Sequence, residues 1–338
     1  VEIQLFPFKR QGVSGKAEKT QAQLKTMNSA DSVILITGAG GFLGGRLVSI
    51  FEKKISHCRL IAVRRGGIAA NPFSNNVTIV DGDLRAAATW SRLPDSITHV
   101  FHAAARIPWQ KDEKNRAAVA EDNIIPLAHL IEYSQRWPGL RQIVFSSSVS
   151  VYSPSKEYLS ERSRTLPENI YGASKLAGES LLTCMSVRGV KTVCLRYSSL
   201  YGAGQYPGTV LPLMVGRALE GKDIVVYGDG GRTQDFLECD DAVYANLLAY
   251  ERNAEGVFNI GSGTPTSMKE LAIAISDVFS EGRSKVVCAP EKRENDPGCK
   301  MDISKAQEQL QYFPAYQLPA GLKKLKEDQS VKGGSNHA

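Results

Sequence analysis

Four β-rich apolar residues, Val33 to Ile36, run straight into Thr37-Gly38-Ala39-Gly40-Gly41-Phe42-Leu43-Gly44. The G-x-G-x-x-G template fails, because its last position would be Leu43, but G-x-x-G-x-x-G fits through Gly38, Gly41 and Gly44. Gly38 permits a tight turn, Gly41 lets backbone approach a pyrophosphate, and Gly44 lets a following helix pack closely on the strand. Leu47, Val48, Ile50 and Phe51 supply that helix's apolar face. Free N–H groups and the helix dipole make its N-terminus an anion site. A glycine triplet alone marks a turn. With a strand before it and an apolar helix after it, the triplet points to dinucleotide binding.

Further β-rich runs stand at 60–63, 78–80, 99–101, 142–145 and 192–195, and the helical stretches 115–136 and 171–187 lie between or after them. Short strands buried on both faces, joined by helical crossovers, predict an α/β protein. The expected architecture is a Rossmann-type doubly wound parallel sheet with a smaller C-terminal substrate-binding region. At 338 residues the chain has room for about two units. The expected division is an N-terminal extension over 1–31, a dinucleotide-binding domain over 32–197, a mainly substrate-binding region over 198–325 partly interleaved with it, and a tail over 326–338. Past residue 200, Gly/Pro-rich segments break the strand-helix alternation, and a helix is expected at 269–280.

Lys plus Arg exceed Asp plus Glu by 41 − 35 = +6. Much of that excess lies toward the ends, at Lys9, Arg10, Lys16, Lys19, Lys25, Lys323, Lys324, Lys326 and Lys332. No basic groove-reading element emerges, so an anionic small molecule, not nucleic acid, is the expected partner. The six cysteines are scattered without a C-x-x-C pair, and His99 and His102 lack a third ligand. Neither a metal site nor a disulfide framework is expected, and the cysteines suit a reducing compartment. No apolar run approaches the ~18 residues of a membrane span, and no apolar leader opens the chain. The expected location is cytoplasmic.

The end of the second strand bears on the choice of dinucleotide. An Asp or Glu there would hold a ribose 2′-OH, but Arg64 and Arg65 stand in its place. Charge-assisted bonds from arginine to a 2′-phosphate contribute about 1.5–3 kcal/mol each. NADP is therefore favoured over NAD, against the plainer reading of two solvated arginines. Farther on, Ser146-Ser147-Ser148 ends a strand, and Tyr171 and Lys175 follow at i and i+4, on one helix face. A free phenol titrates near ~10, and a nearby ammonium lowers that value. Such a pair can exchange a proton with an alcohol or ketone while Ser148 binds the same oxygen.

These motifs, in this order, resemble the extended short-chain dehydrogenases/reductases, the NAD-dependent epimerase/dehydratase family, from about residue 32 to 310. Asp81-Gly82-Asp83-Leu84, His102-Ala103-Ala104-Ala105, Asn123, Arg196-Tyr197-Ser198-Ser199-Leu200-Tyr201-Gly202 and Asp235-Phe236-Leu237-Glu238-Cys239-Asp240-Asp241 extend the likeness. The resemblance implies that Phe42 and Leu43 join the three glycines at the dinucleotide, and that Asp83 and Leu84 border the adenine. It places Ala104, Ala105, Asn123 and Ser198 along the cofactor cleft. It implies Tyr171 as acid/base, Lys175 on the nicotinamide ribose, Ser148 on the reacting oxygen, and Ser199 and Arg232 near the substrate.

Three departures bear on the substrate. Val149-Ser150-Val151 follows the serine strand where dehydratases of the family carry Thr-Asp-Glu, so loss of water is not expected. Ser199 stands near the place of a sugar-nucleotide asparagine, and Gln234 replaces the arginine before Asp235-Phe236. The leading expectation is an NAD(P)-dependent nucleotide-sugar epimerase working through a transient 4-keto sugar. An NADPH-dependent reductase or dehydrogenase of a keto-sugar or other carbonyl is the first alternative, and a non-catalytic dinucleotide sensor the second. Apolar positions on helices 115–136 and 171–187, beyond those one sheet face needs, suggest a homodimer.

Overall fold

The structure, a computed structural model, describes residues 32–55, 58–66, 73–108, 115–292 and 298–334. The expected extension over 1–31 and the last four residues of the expected tail lie outside the described residues. In chain order the first half gives β1 (Val33–Thr37), α1 (Phe42–Lys54), β2 (Arg59–Arg64), β3 (Val77–Asp81), α2 (Ala87–Ser91), β4 (His99–His102) and α3 (Arg116–Tyr133). It continues through β5 (Gln142–Ser148), β6 (Tyr158–Leu159), α4 (Ile170–Ser186) and β7 (Lys191–Tyr197). The second half gives β8 (Ser199–Tyr201), α5 (Val210–Leu219), β9 (Ile224–Tyr227), β10 (Thr233–Glu238) and α6 (Cys239–Glu251). It ends with β11 (Gly256–Ile260), β12 (Pro265–Ser267), α7 (Met268–Ser280), β13 (Val286–Ala289), β14 (Lys300–Met301) and α8 (Leu318–Gly334).

Seven strands form the central sheet in the order β11-β7-β5-β4-β1-β2-β3, and every neighbouring pair is parallel. Both faces are covered, and β1 shows why. Its side chains alternate, so Ile34 and Ile36 enter one core while Leu35 enters the other. The first core gathers Leu47, Val48 and Phe51 of α1 with Ala242, Val243 and Leu247 of α6. The second gathers Leu127 and Leu130 of α3 with Leu182 and Met185 of α4. Each such buried Leu, Ile, Val, Phe or Met side chain contributes about 1.5–3 kcal/mol, which drives the two helical layers onto the sheet.

The chain leaves β1 on one side toward β2 and returns on the other at β4, so the strand order reverses there. That switch point is where open α/β sheets leave a crevice. A smaller region carries the mixed sheet β8-β10-β12, the pair β9–β13 and helices α5, α7 and α8 around Tyr201, Leu211, Ile224, Leu271 and Leu322. It also lends β11 to the central sheet, beside β7. Helix α8 crosses residue 326 unbroken.

Candidate active site

A cleft of about 820 Å³ opens at the switch point. Gly38, Gly40, Gly41 and Phe42 form one wall and Ala103 to Ile107 another, and Arg64, Arg65, Gly82 and Leu84 also line the cleft, with the Arg64 β-carbon 3.5 Å from the place of a β-carbon on Gly40. Gly38 has φ +73°, and a β-carbon on it would lie 2.7 Å from the Ala104 backbone. A β-carbon on Gly44 would lie 2.1 Å from the Gly38 carbonyl oxygen. These two glycines let the loop, the α1 helix and the segment that follows β4 meet. Helix α1 opens on Gly41 with no side-chain cap and no acidic residue in its first turn. By contrast, α3, α4, α6 and α7 are capped by Asn115, Asn169, Glu238 and Ser267. Unsatisfied N–H groups facing a cleft fit the pyrophosphate of a dinucleotide. Leu43 and Gly44 belong to the same first turn, behind the glycine wall.

The lining around the end of β2 is rich in arginine. Arg64 is buried and its Nε donates to Asp81 at 2.8 Å, whereas Arg65 is 61% exposed. Arg65, Arg85 and Arg106 converge on the buried carboxylate of Asp122, at 3.5, 3.1 and 3.4 Å. Arg85 also grips Asp83 at 2.6 Å, holding its carboxyl down at about 2. Trp90 fixes the neighbouring segment by donating from Nε1 to the Leu84 carbonyl at 2.7 Å. Asp122, Arg106 and Trp90 escape a reading by spacing, since each gains meaning only from what it meets in space.

Tyr171 and Lys175 share a face of α4 against the end of β5. The Ser148 hydroxyl hydrogen-bonds the Tyr171 phenol. Lys175 Nζ donates to the Ser146 carbonyl at 2.7 Å and lies 5.7 Å from the Tyr171 ring centroid. One link, through Asn123 and Ser174, ties this group to the cleft, and a separate Thr37 contact joins β1 to the segment after β4. Asn123 accepts from the Arg106 N–H at 2.7 Å and donates to Ser174 Oγ at 2.9 Å, and Ser174 Oγ bonds the Tyr171 carbonyl. Thr37 Oγ1 bonds both His102 Nδ1 and the Ala104 N–H, at 3.0 and 3.3 Å. Asn123 thus braces the cleft wall against the Tyr171 turn, its amide spent on protein groups.

The electrostatics correct one expectation. The Tyr171 residue is half-buried, but its hydroxyl end is desolvated, and that burial pushes the phenol up to about 12. The same burial pulls the Lys175 amine down to about 7. The ammonium one turn away therefore does not acidify the phenol in this chain alone; the Ser148 hydrogen bond is what favours the phenolate. Burial also pulls His102 down to about 3, leaving a neutral imidazole whose Nε2 has no hydrogen-bond partner.

Ser198 and Ser199 occupy the junction of β7 and β8, where their hydroxyls are engaged by the protein. Ser198 Oγ donates to the buried Asp235 at 2.8 Å, and Asp235 also takes the N–H groups of Ser262 and Gly263. Ser199 Oγ accepts from Gln234 Nε2. Arg232 Nη1 donates to Gln234 Oε1 at 3.3 Å, so the Gln234 position, Ser199 and Arg232 form one polar group. Among the described residues no cluster of three or more His, Cys, Asp or Glu could hold a metal ion. No described helix is long and apolar enough to cross a membrane.

The chain is similar to known proteins along most of its length. A UDP-N-acetyl-alpha-D-glucosaminuronate decarboxylase of Bacillus cytotoxicus is 27% identical over 312 residues, covering 86% of this chain and 95% of its own. The solved UDP-glucose 4-epimerase of Thermotoga maritima, with UDP-glucose, is similar at a TM-score of 0.78 and 28% identity, over 89% of this chain and 99% of that one. The UDP-glucuronic acid 4-epimerase of Bacillus cereus, in complex with UDP-glucuronic acid and NAD, also reaches 0.78, at 26% identity over 88% and 99%. The model of the NAD dependent epimerase/dehydratase family matches residues 34–261. With that match running from β1 through the last strand of the central sheet, the chain belongs to the NAD dependent epimerase/dehydratase family.

Proposed function

We propose that the chain is an NAD(P)-dependent nucleotide-sugar epimerase acting through a transient 4-keto sugar. The observation that carries this reading is the Ser148–Tyr171–Lys175 group, braced through Asn123 and Ser174 against a cleft fitted to a dinucleotide. Gly38, Gly41, Phe42, Leu43, Gly44 and the α1 N-terminus would hold the pyrophosphate. Asp83 and Leu84 would border the adenine, and Ala104, Ala105, Asn123 and Ser198 would shape the cleft. A bound dinucleotide supplies hydride acceptance and return and, when oxidised, a ring charge that favours the phenolate. Tyr171 would take the proton of a sugar hydroxyl at its phenol oxygen and later give it back. Ser148 would bind that same oxygen, Lys175 would hold the ribose, and Ser199 and Arg232 would meet the sugar nucleotide. Val149-Ser150-Val151 offers no acid and base for removing water.

Arg64 and Arg65, at the end of β2 in the cleft lining, support NADP over NAD, and tighter binding of NADP than NAD is expected in a direct titration. They also favour the second reading, an NADPH-dependent reductase of a keto-sugar or other carbonyl, because NADPH serves as an exchanging reductant. A dinucleotide sensor would need no acid/base group. Turnover of a panel of nucleotide sugars, with and without added NADPH, decides among them. Epimerisation without added cofactor is expected; consumption of NADPH with each turnover would establish the reductase instead. Six free cysteines suit a cytoplasmic location. A homodimer through the outer faces of α3 and α4, where Ile125 is 37% exposed, completes the reading.

A further inference from the structure

Tyr171, Lys175 and Glu179 stand at i, i+4 and i+8 of α4, and each meets a different residue at the end of β5. Tyr171 meets the Ser148 hydroxyl, Lys175 the Ser146 carbonyl, and Glu179 Oε1 accepts from Ser147 Oγ at 2.5 Å. Glu179 is buried and takes two further bonds from Arg196 of β7, from Nε at 2.9 Å and from Nη2 at 2.6 Å. Arg196 Nη1 then donates to Tyr152 Oη at 2.7 Å, and Tyr152 donates to Asn259 of β11 at 2.8 Å. All five side chains of this relay are buried.

We propose that Glu179 is a positioning residue: clamped by Ser147 and Arg196, its carboxylate sets the seat of α4 on β5 and presents a negative charge to the Lys175 ammonium one turn away. The inference rests on the reading above only in taking Tyr171 and Lys175 as the reacting pair. Fold stability alone is a poor reason for such a device, since a buried ion pair is often replaced by apolar residues without loss. Its location suggests another. One carboxylate joins the helix that carries Tyr171 and Lys175 to the strand that carries Ser148, so it governs their separation. Its charge opposes the burial that pulls the Lys175 amine down. The other groups facing Lys175 do not replace that charge. The Ser146 carbonyl and the Tyr171 and Phe145 rings are neutral, His102 on β4 is a neutral imidazole, and Arg196 on β7 is engaged by Glu179.

The test follows the Lys175 side-chain carbon by lysine-labelled NMR against pH in the full chain, the resonance being identified with Lys175→Arg. In Glu179→Gln the midpoint is expected to fall by about one pH unit, a tenfold loss of proton affinity. In turnover, kcat should fall on the alkaline side and approach the parental value only at about pH 5, with KM unchanged. Glu179→Asp keeps the charge and should keep the parental midpoint. Should the lone Arg196 left by Glu179→Gln prevent folding, Glu179→Gln/Arg196→Met removes both charges and should show a lowered midpoint too. A parental midpoint in every folded variant lacking the carboxylate, or an equal loss of kcat at all pH values, would overturn the proposal. The NMR midpoint needs no substrate, so failure to find epimerase turnover leaves it separately decidable.

Discussion

At Gly44 an absent side chain determines whether the loop closes at all. The nearest obstacle to a β-carbon there is backbone, the Gly38 carbonyl at 2.1 Å, which cannot swing aside as a side chain would. Gly44→Ala is expected to lose about 1–3 kcal/mol in urea denaturation, as overpacking does, and to weaken dinucleotide binding in titration. Parental values of both would mean that loop and helix can part freely. These glycines are legible in the sequence because residue type and spacing carry the whole signal. The Tyr171 phenol is legible only by half. Its spacing to Lys175 predicts a neighbouring amine, but the burial that pushes the phenol to about 12 comes from packing across the chain. Ser198 is a like case: its partner Asp235 lies 37 residues away, and nothing local announces that bond.

Among the elements, strands that alternate with long helices stand out in the sequence, and six of the seven central strands lie where the apolar runs place them. β11 does not stand out. It is a five-residue strand, Gly256–Ile260, with Asn259 in its interior, and its pairing with β7 reaches across some sixty positions of chain. Helix α8 is likewise fixed by remote charges, since Lys324 bonds Glu238 at 3.0 Å and Asp240 at 3.2 Å. Burial, with the neighbouring Asp240 charge adding to it, raises the Glu238 carboxyl to about 7 from an ordinary 4.5. The folded state then holds that proton more tightly than the unfolded state between about pH 4.5 and pH 7, so stability falls as pH rises through this window. Glu238→Gln lacks the titration but keeps an acceptor for the Asp240 N–H. The stability of the parent relative to this variant should therefore be greatest below about pH 4.5 and smallest above pH 7, measured by denaturation at each pH. A difference that stays constant with pH would show that Glu238 is not the group responsible.

At the scale of the whole molecule, the two regions are built through one another. The smaller region completes the central sheet with β11, and the sheet in turn carries the junction of Ser198 and Ser199 toward β8 and β10. A doubly wound sheet with a satellite is readable from alternation alone; the interleaving is not, because it depends on which distant strands pair. The α3 and α4 faces lead us to expect a dimer in solution by light scattering, and a monomer at every concentration would contradict that. The central claim is that the Tyr171 phenol, braced against the dinucleotide cleft, moves the proton of the reaction. Tyr171→Phe removes one oxygen and leaves the cleft walls untouched, so turnover and dinucleotide affinity of this variant test the claim most directly. Expected is a fall in turnover of about 10²–10⁴-fold, the usual loss for a positioned acid/base group, with dinucleotide affinity unchanged; turnover equal to the parent would contradict it.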